Sequence, residues 1–510
     1  MTFNLRNISF ALLSAVLGIF SFPPFGYSFC AWVAFLPLLI MAGETRAKDA
    51  ALYAYLSGVL FYLGTGWWIF RVTVPGGLLL ILMLAIYHGL FGYAANRIKK
   101  YSMDLLLFPF IWIVLEFLRS HIFGGFPWAI LGYTQYKNVP LIQLADFTGV
   151  YGVSFLVMLF NTSVYSFFTG EKRRTMYLSI TLFIMVFALG YGIKRVESLE
   201  PWCDIRPGVV QGNIPQEEKF DPASSGSIFD RYSRLTKELA DISPDIVIWP
   251  ETSYPYLVSG EEGLEDVSVL ATEIGIPLLA GVVRDDRDGH YFNSALLVGN
   301  DGAVLDTYDK THLVPFGEYI PFENFIFFLR GIIDKPIGNF LPGERYTLFP
   351  LNSVKTSVTT EAGRKRETRF LKFGVMICFE DCFGYISRKL AKSGASFLVN
   401  ITNDAWFGPS GAQEQHVQAS VFRAVENHVP VVRAANTGVS CFIDASGKVL
   451  SRVRAEGSDI FVEGSLAETL GITNVRTFYT FYGDIFIFFS VFVIIFITAL
   501  EVYMIKKSGL

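Results

Sequence analysis

In the stretch LKFGVMICFEDCFG, residues 371–384, an apolar run is followed directly by a segment that contains two cysteines and two acidic residues. The run Phe373–Ile377 has the length and apolar content of a short buried strand. It ends at Cys378, and Glu380 and Asp381 follow almost at once. A cysteine in this position could pack in the core, form half of a disulfide, bind a metal or act as a nucleophile.

The region around this stretch, 200–475, alternates short β-rich runs with amphipathic runs. Strands are predicted in DIRPGVVQGN, DIVIWPE, IPLLAGVV, YFNSALLVG, LKFGVMICFE and ASFLVNITND, and helices in SGSIFDRYSRLTKELAD and AQEQHVQASVFRAVENH. The alternation is typical of an α/β layered domain, and the region is long enough for one large core. The polar segment 353–369 is predicted to be a surface loop.

The rest of the chain is far more apolar. Of all 510 residues, 52% are hydrophobic and only 17% are charged. Charge-poor runs of about 20 residues predict seven membrane crossings before residue 200 and one after 480. The first run lacks a convincing cleavage site and is interpreted as a retained helix. The predicted fold class is therefore a multi-pass α-helical membrane bundle of eight crossings plus an α/β extramembrane domain, divided into 1–199, 200–475 and 476–510.

Basic residues in the short loops predict the orientation of the bundle. The loops ETRAKDA, RIKKY, EKRRT and IKKSGL follow every second crossing, whereas SFPPFGYSF and RVTVPGG hold a single arginine between them. This pattern predicts cytoplasmic termini and an external 200–475 domain. A net charge of −4 gives no support for a nucleic-acid partner, and the five cysteines have neither a disulfide-scaffold pattern nor zinc spacing.

Three short stretches carry residues suited to acyl transfer. IVIWPET puts Glu251 just past a buried strand, YDKTHLVPFGEYIP holds Lys310 and Glu318, and VMICFED puts Cys378 at a strand end. A thiol needs a base or a positive neighbour to attack at neutral pH, and an ammonium can stabilise an oxyanion. Singly, these residues could be a packed cysteine, a surface acid and a turn cation; together they favour catalysis.

The same stretches resemble a known enzyme group. WPE, DKTHLVPFGEY and ICFED resemble the Glu, Lys and Cys motifs of the nitrilase (carbon–nitrogen hydrolase) superfamily, and LVNITNDAWFG and RAVENHVPVVRAANTG resemble its further signatures. With the predicted crossings and LEFLRSHIFGGFPWAILGY at 115–133, the chain resembles the apolipoprotein N-acyltransferase family over essentially its whole length.

The resemblance implies an αββα nitrilase-like sandwich on a helix bundle in the bacterial inner (cytoplasmic) membrane, with the catalytic domain on the periplasmic side. It implies Glu251 as proton acceptor, Lys310 as oxyanion stabiliser, Cys378 as nucleophile and Glu318 as auxiliary acid. It also implies a ping-pong reaction through a thioester, with no metal or cofactor. The implied acyl donor is a phospholipid, phosphatidylethanolamine, and the implied acceptor is the diacylglyceryl-cysteine at the N-terminus of an apolipoprotein.

Some residues are open to two interpretations. Trp128, Phe379, Trp406 and Phe407 are predicted to contact substrate; for Trp406 and Phe407, core packing is the alternative. Phe379 also departs from the tyrosine that the family usually has after the nucleophile. Cys382 is interpreted as a packed residue, with a regulatory disulfide as the alternative.

Two other functions use the same motifs. A membrane-tethered carbon–nitrogen hydrolase, an amidase with water as acceptor, would share all three of them; the predicted bundle and GGFPWAILGY argue against it. A non-catalytic lipid-binding or transport protein on an inactive nitrilase fold is the other alternative. The intact Glu, Lys and Cys set argues against that one.

Overall fold

The computed structural model describes residues 4–98, 104–170, 174–219, 221–260, 262–286, 288–319, 339–360 and 363–508. The chain forms two compact units. The bundle unit comprises 1–196, 410–418 and 482–510, and the sandwich unit comprises 197–409 and 419–481. The short segment 410–418, which lies inside the predicted 200–475 domain, is therefore part of the bundle unit.

The bundle unit is built from apolar helices. Before the sandwich come α1 Leu5–Ser21, α2 Leu36–Glu44, α3 Ala47–Thr65, α4 Val74–Ile98, α5 Asp104–His121, α6 Val139–Ile142, α7 Ala145–Thr148, α8 Val150–Phe168 and α9 Arg174–Glu197. The C-terminal helix is Ile485–Ser508. Phe183 and Phe187 on α9, and Phe488 and Phe492 on the C-terminal helix, are all more than 60% exposed. Large apolar side chains on the outside of a bundle suit contact with lipid rather than water.

Among the described residues, five helices are long and apolar enough to cross a membrane. They are Val74–Ile98, Leu106–Gly124, Val150–Phe168, Arg174–Glu197 and Ile485–Met504. Leu5–Ser21 and Ser28–Glu44 are apolar but shorter. The predicted membrane bundle is confirmed as a class of structure, while its count of eight crossings stays a prediction.

Gln415 joins distant parts of the bundle unit. Its Oε1 accepts a hydrogen bond from Trp128 Nε1 at 2.6 Å, and its Nε2 donates to the carbonyl oxygens of Pro23 at 2.8 Å and Thr65 at 3.0 Å. The side chain is buried. One glutamine therefore pairs polar groups from three separate parts of the bundle, where an unpaired buried group would be costly.

The sandwich unit contains two main sheets. In spatial order, one has β13 Val449–Arg452, β12 Cys441–Ile443, β11 Val431–Ala435, β10 Phe397–Thr402, β9 Gly363–Ile377 and β8 Leu348–Thr360. The other has β14 Gly464–Ala467, β2 Pro207–Gln211, β3 Ile246–Ile248, β5 Leu278–Asp285, β6 Tyr291–Val298 and β7 Val304–Asp309, with β4 Leu257–Ser259 paired to β5. A separate pair joins β1 Cys203–Ile205 to β15 Leu470–Ile472.

The main core lies between the two sheets. It combines Val209, Ile248 and Leu279 from one sheet with Val375 and Ile401 from the other. Because side chains alternate along a strand, the neighbouring apolar residues face the outer side of each sheet. That alternation is what allows both faces of each sheet to be covered.

Helices cover the two outer faces. Helices α10 Ser225–Ala240 and α11 Glu265–Ile274 pack on β3 through a second core that includes Tyr232, Leu270 and Trp249. On the other sheet, α12 Gly384–Lys392 approaches β9 so closely that a Cβ at Gly374 would lie 2.8 Å from the Leu390 side chain. The remaining helices are α13 Ala412–Asn427 and α14 Phe478–Tyr482. The layers confirm the predicted αββα sandwich.

The prediction of a surface loop at 353–369 is wrong, because strands occupy this segment. Strand β8 continues to Thr360, β9 begins at Gly363, and the two pair in antiparallel register over this segment. The sequence SVKTSVTT is rich in Val and Thr, whose branched side chains favour strands even where charged residues interrupt them. A prediction from polar composition alone overlooks this preference.

Candidate active site

Three chain segments that each follow a strand bring the predicted catalytic residues together. Glu251 lies just after β3, Lys310 directly after β7 and Cys378 directly after β9. Strand β7 pairs with β6, and β6 with β5, which is parallel to β3. A strand end is rigid, while the residues beyond it can face an open site, so this is where reactive groups are commonly presented.

Lys310 is at the centre of a buried ionic cluster. Its Nζ donates to Glu318 Oε1 at 2.9 Å and lies 3.5 Å from Glu251 Oε1, and its side chain is only 1% exposed. Burial by itself would lower the pKa of Lys310, but the negative charges of Glu318, Glu251 and the Cys378 thiolate outweigh it and raise that pKa above its ordinary value. The lysine is therefore a permanent cation in this cluster.

Glu251 is held by donors on both carboxylate oxygens. Asn293 Nδ2 donates to Oε1 at 2.8 Å, and the Asn403 backbone N–H donates to Oε2 at 2.8 Å. Asn293 Nδ2 also donates to Glu318 Oε1 at 2.8 Å, so one amide fixes both acids. Sequence reasoning missed both asparagines; the one available signal was a polar Asn293 within the apolar run YFNSALLVG.

Cys378 occupies a strained turn at the end of β9. Its φ is +54°, in the left-handed region that residues other than glycine rarely adopt. Asn400 Nδ2 donates to its carbonyl oxygen at 3.0 Å and so supports the turn. The residue is half-buried and interacts electrostatically with Lys310 and with Lys219. A sharp strand-to-helix turn of this kind presents a side chain to a site while its backbone stays anchored.

Glu380 ties the Lys310 segment to the Cys378 turn. Its carboxylate accepts hydrogen bonds from the backbone N–H groups of Thr311 at 2.8 Å, His312 at 3.0 Å and Ile377 at 2.7 Å. Burial raises the pKa of Glu380; the hydrogen bond from Ile377, the positive charge of Lys310 and the hydrogen bond from His312 oppose that rise because they favour the charged form. Glu380 lies within the motif ICFED, but its sequence neighbours do not indicate which groups it binds.

The residues predicted to contact substrate differ in burial and in the unit to which they belong. Phe379 is buried, with its ring centroid 5.0 Å from that of Phe383. Trp406 and Phe407 are half-buried in the short 3-10 helix Asp404–Phe407. Trp128 belongs to the bundle unit. Their contacts with substrate stay predictions.

All five cysteines are free thiols. Cys382 is buried, and its Sγ donates to Asp381 Oδ1 at 3.6 Å. This arrangement agrees with the packed interpretation of Cys382 rather than with a disulfide to Cys378.

The two units match two family profiles. Residues 14–163 match the apolipoprotein N-acyltransferase N-terminal domain, and residues 208–463 match the carbon-nitrogen hydrolase family. The chain is 36% identical to the apolipoprotein N-acyltransferase of Geobacter metallireducens, over 94% of this chain and 92% of that one. It is 31% identical to that of Pasteurella multocida, over 93% and 91%. Nit3 of Saccharomyces cerevisiae, a solved nitrilase-superfamily structure, covers 54% of this chain and 91% of its own, with 19% identity and a TM-score of 0.37.

Proposed function

The chain belongs to the apolipoprotein N-acyltransferase family, and from this premise we propose that Cys378 carries an acyl chain from a membrane phospholipid to an apolipoprotein. The chain is a membrane protein and an acyltransferase with a carbon–nitrogen hydrolase fold. One observation carries the proposal: the family likeness extends over 94% of the chain and so includes the bundle. An amidase acting on a soluble substrate would have no need of that part.

The first half of the reaction forms a thioester. Glu251 takes the thiol proton of Cys378, and the thiolate attacks the ester carbonyl of the phospholipid acyl chain. Lys310 stabilises the oxyanion of the tetrahedral intermediate, which its position beside Glu251 supports. The carbon–oxygen bond of the ester then breaks, and Glu251 returns the proton to the departing lysophospholipid alkoxide. Glu318 keeps the lysine in place by the 2.9 Å contact between Glu318 Oε1 and Lys310 Nζ.

The second half discharges the thioester. The α-amine of the diacylglyceryl-cysteine attacks the thioester carbonyl, Glu251 accepts a proton from that amine, and the Cys378 thiolate leaves. The product is an amide on the N-terminal cysteine of the apolipoprotein. A thiolate is a good leaving group towards an amine, which suits cysteine better than serine for this step. We propose phosphatidylethanolamine as the donor on family grounds.

A burst experiment should separate this reaction from hydrolysis. The purified enzyme, given labelled phospholipid without acceptor, is expected to release about one equivalent of lysophospholipid and then stop, as covalent catalysis predicts. A hydroxylamine-sensitive acyl group should be found on Cys378. Adding a diacylglyceryl-cysteine peptide should restart turnover, whereas the same peptide with a blocked α-amine should not. Steady release of free fatty acid without peptide would contradict the proposal and favour the tethered amidase.

We propose that the 200–475 domain lies on the periplasmic side of the bacterial inner membrane, with both termini in the cytoplasm. The four basic loops support this orientation. A reporter that is active only outside the cytoplasm should work when fused after residue 200 and fail when fused after residue 172. The reverse pattern would show that the crossings are miscounted and that the domain faces the other leaflet.

A further inference from the structure

Within the cluster of Glu251, Glu318 and Lys310, the acids and the lysine do not balance in charge. Glu251, Glu318 and Lys310 are joined by hydrogen bonds and short contacts, and two carboxylates against one ammonium leave one negative charge. Moving a proton from Cys378 to Glu251 transfers charge inside the site without changing its total. The thiolate would therefore form in a group that is already negative, which burial makes costly.

Lys219 supplies a positive charge at this place. It follows β2, in IPQEEKFDP, and is only 5% exposed. Its Nζ donates to the Glu251 carbonyl oxygen at 2.8 Å. It also interacts electrostatically with the Glu251 carboxylate and with Cys378. A lysine is rarely buried to this extent unless it is paired, and here its partners are two of the three proposed catalytic residues.

We propose that Lys219 is a positioning residue of the active site that offsets the excess negative charge of the Glu251, Glu318 and Lys310 cluster and thereby stabilises the Cys378 thiolate. Its hydrogen bond also fixes the backbone of Glu251. The proposal rests on the proposed function, because it assigns Lys219 to the same thiol that is to carry the acyl chain. Lys310 then stabilises the oxyanion of the tetrahedral intermediate, while Lys219 offsets the remaining negative charge of the two glutamates.

The charge of Lys219 depends on pH in an accessible range. Burial lowers its pKa to about 8, although the negative charges of Glu251 and Cys378 oppose that effect. Lys219 is therefore mostly protonated at pH 7 and loses its charge as the pH rises past about 8. Any effect of its charge on Cys378 should be full at pH 7 and should fade at higher pH.

Alkylation of Cys378 by iodoacetamide tests the proposal without depending on acyl transfer. The rate is followed by mass spectrometry of the Cys378 peptide, using the full-length purified protein. At pH 7, Lys219→Met should slow alkylation about tenfold, because a tenfold change corresponds to one unit in the pKa of the thiol. The ratio of wild-type to variant rates should fall towards one above about pH 8. Lys237→Met, which removes an exposed lysine paired with Glu273, should leave the rate unchanged.

Two further variants separate charge from hydrogen bonding. Lys219→Gln keeps a donor without the charge and should behave like Lys219→Met; Lys219→Arg keeps the charge and should stay near wild type. A wild-type rate in Lys219→Gln or Lys219→Met would overturn the proposal. A variant without cooperative thermal unfolding is not folded and is excluded, and the alkylation rates of the remaining Lys219 variants then test the proposal. If alkylation behaves as expected but no acyl transfer occurs, the proposed function fails and the role of Lys219 stands.

Discussion

Replacement of Cys378 by serine should lower N-acylation by at least about a thousandfold. A serine hydroxyl is far harder to ionise than a thiol, and an ester on serine would transfer poorly to an amine. The backbone of the turn should be unaffected, since Asn400 binds the carbonyl oxygen and not the side chain. The measurement is transfer of a labelled acyl chain from phospholipid to a diacylglyceryl-cysteine peptide by purified enzyme.

Cys382→Ser provides the matched control. Cys382 lies four residues further on, is buried and has its thiol beside Asp381. Serine can donate to the same carboxylate, so activity is expected to stay within about twofold of wild type. Near-normal transfer by Cys378→Ser would remove Cys378 as the nucleophile. Complete loss in a folded Cys382→Ser would instead restore a paired-thiol mechanism.

Glu251→Gln should slow the burst of lysophospholipid about a thousandfold, within the usual contribution of a general base. Glutamine has the same size but cannot accept the thiol proton. In the native protein, Asn293 and the Asn403 N–H each donate to one carboxylate oxygen of Glu251. The NH₂ group of the new glutamine would replace one of these oxygens and would therefore face a donor instead of accepting from it. The burst is measured by rapid quench with labelled phospholipid and no acceptor.

Glu238→Gln is a suitable control for this variant, since Glu238 is an exposed acid that pairs with Arg234. It should show the full burst. A wild-type burst in Glu251→Gln would mean that another group takes the thiol proton. An equal loss of burst in both variants would point to a general defect of the preparation rather than to the role of Glu251.

The positions of the proposed catalytic acid and thiol can be predicted from the sequence because each follows a recognisable apolar run. IVIWPET contains strand β3 before Glu251, and GVMIC contains the end of strand β9 before Cys378. Strand ends are visible in sequence wherever a buried strand stops at a polar residue. Lys310 was found from its motif alone, since strand β7 before it, VLDTYD, lacks a continuous apolar run.

The supporting residues could not be predicted in the same way. Asn293 and Asn403 reach Glu251 from segments 42 and 152 positions away, and the Glu380 carboxylate reaches Thr311 across 69 positions. Such contacts depend on which strands pair and how the two sheets face each other, and local patterns do not encode that. Lys219 was missed for the same reason: nothing in IPQEEKFDP distinguishes a buried cation from a solvated one.

The hydrogen bonds of Gln415 have a consequence for how the protein is made. Its partners at Pro23, Thr65 and Trp128 are synthesised long before Gln415, and the two parts of the bundle unit are separated by roughly 200 residues, or about 10–40 s of translation at usual rates. Throughout that interval the hydrogen bonds from these groups to Gln415 cannot form. The bundle therefore cannot reach its final structure during synthesis of its first nine helices, and its maturation has to wait for most of the sandwich to leave the ribosome.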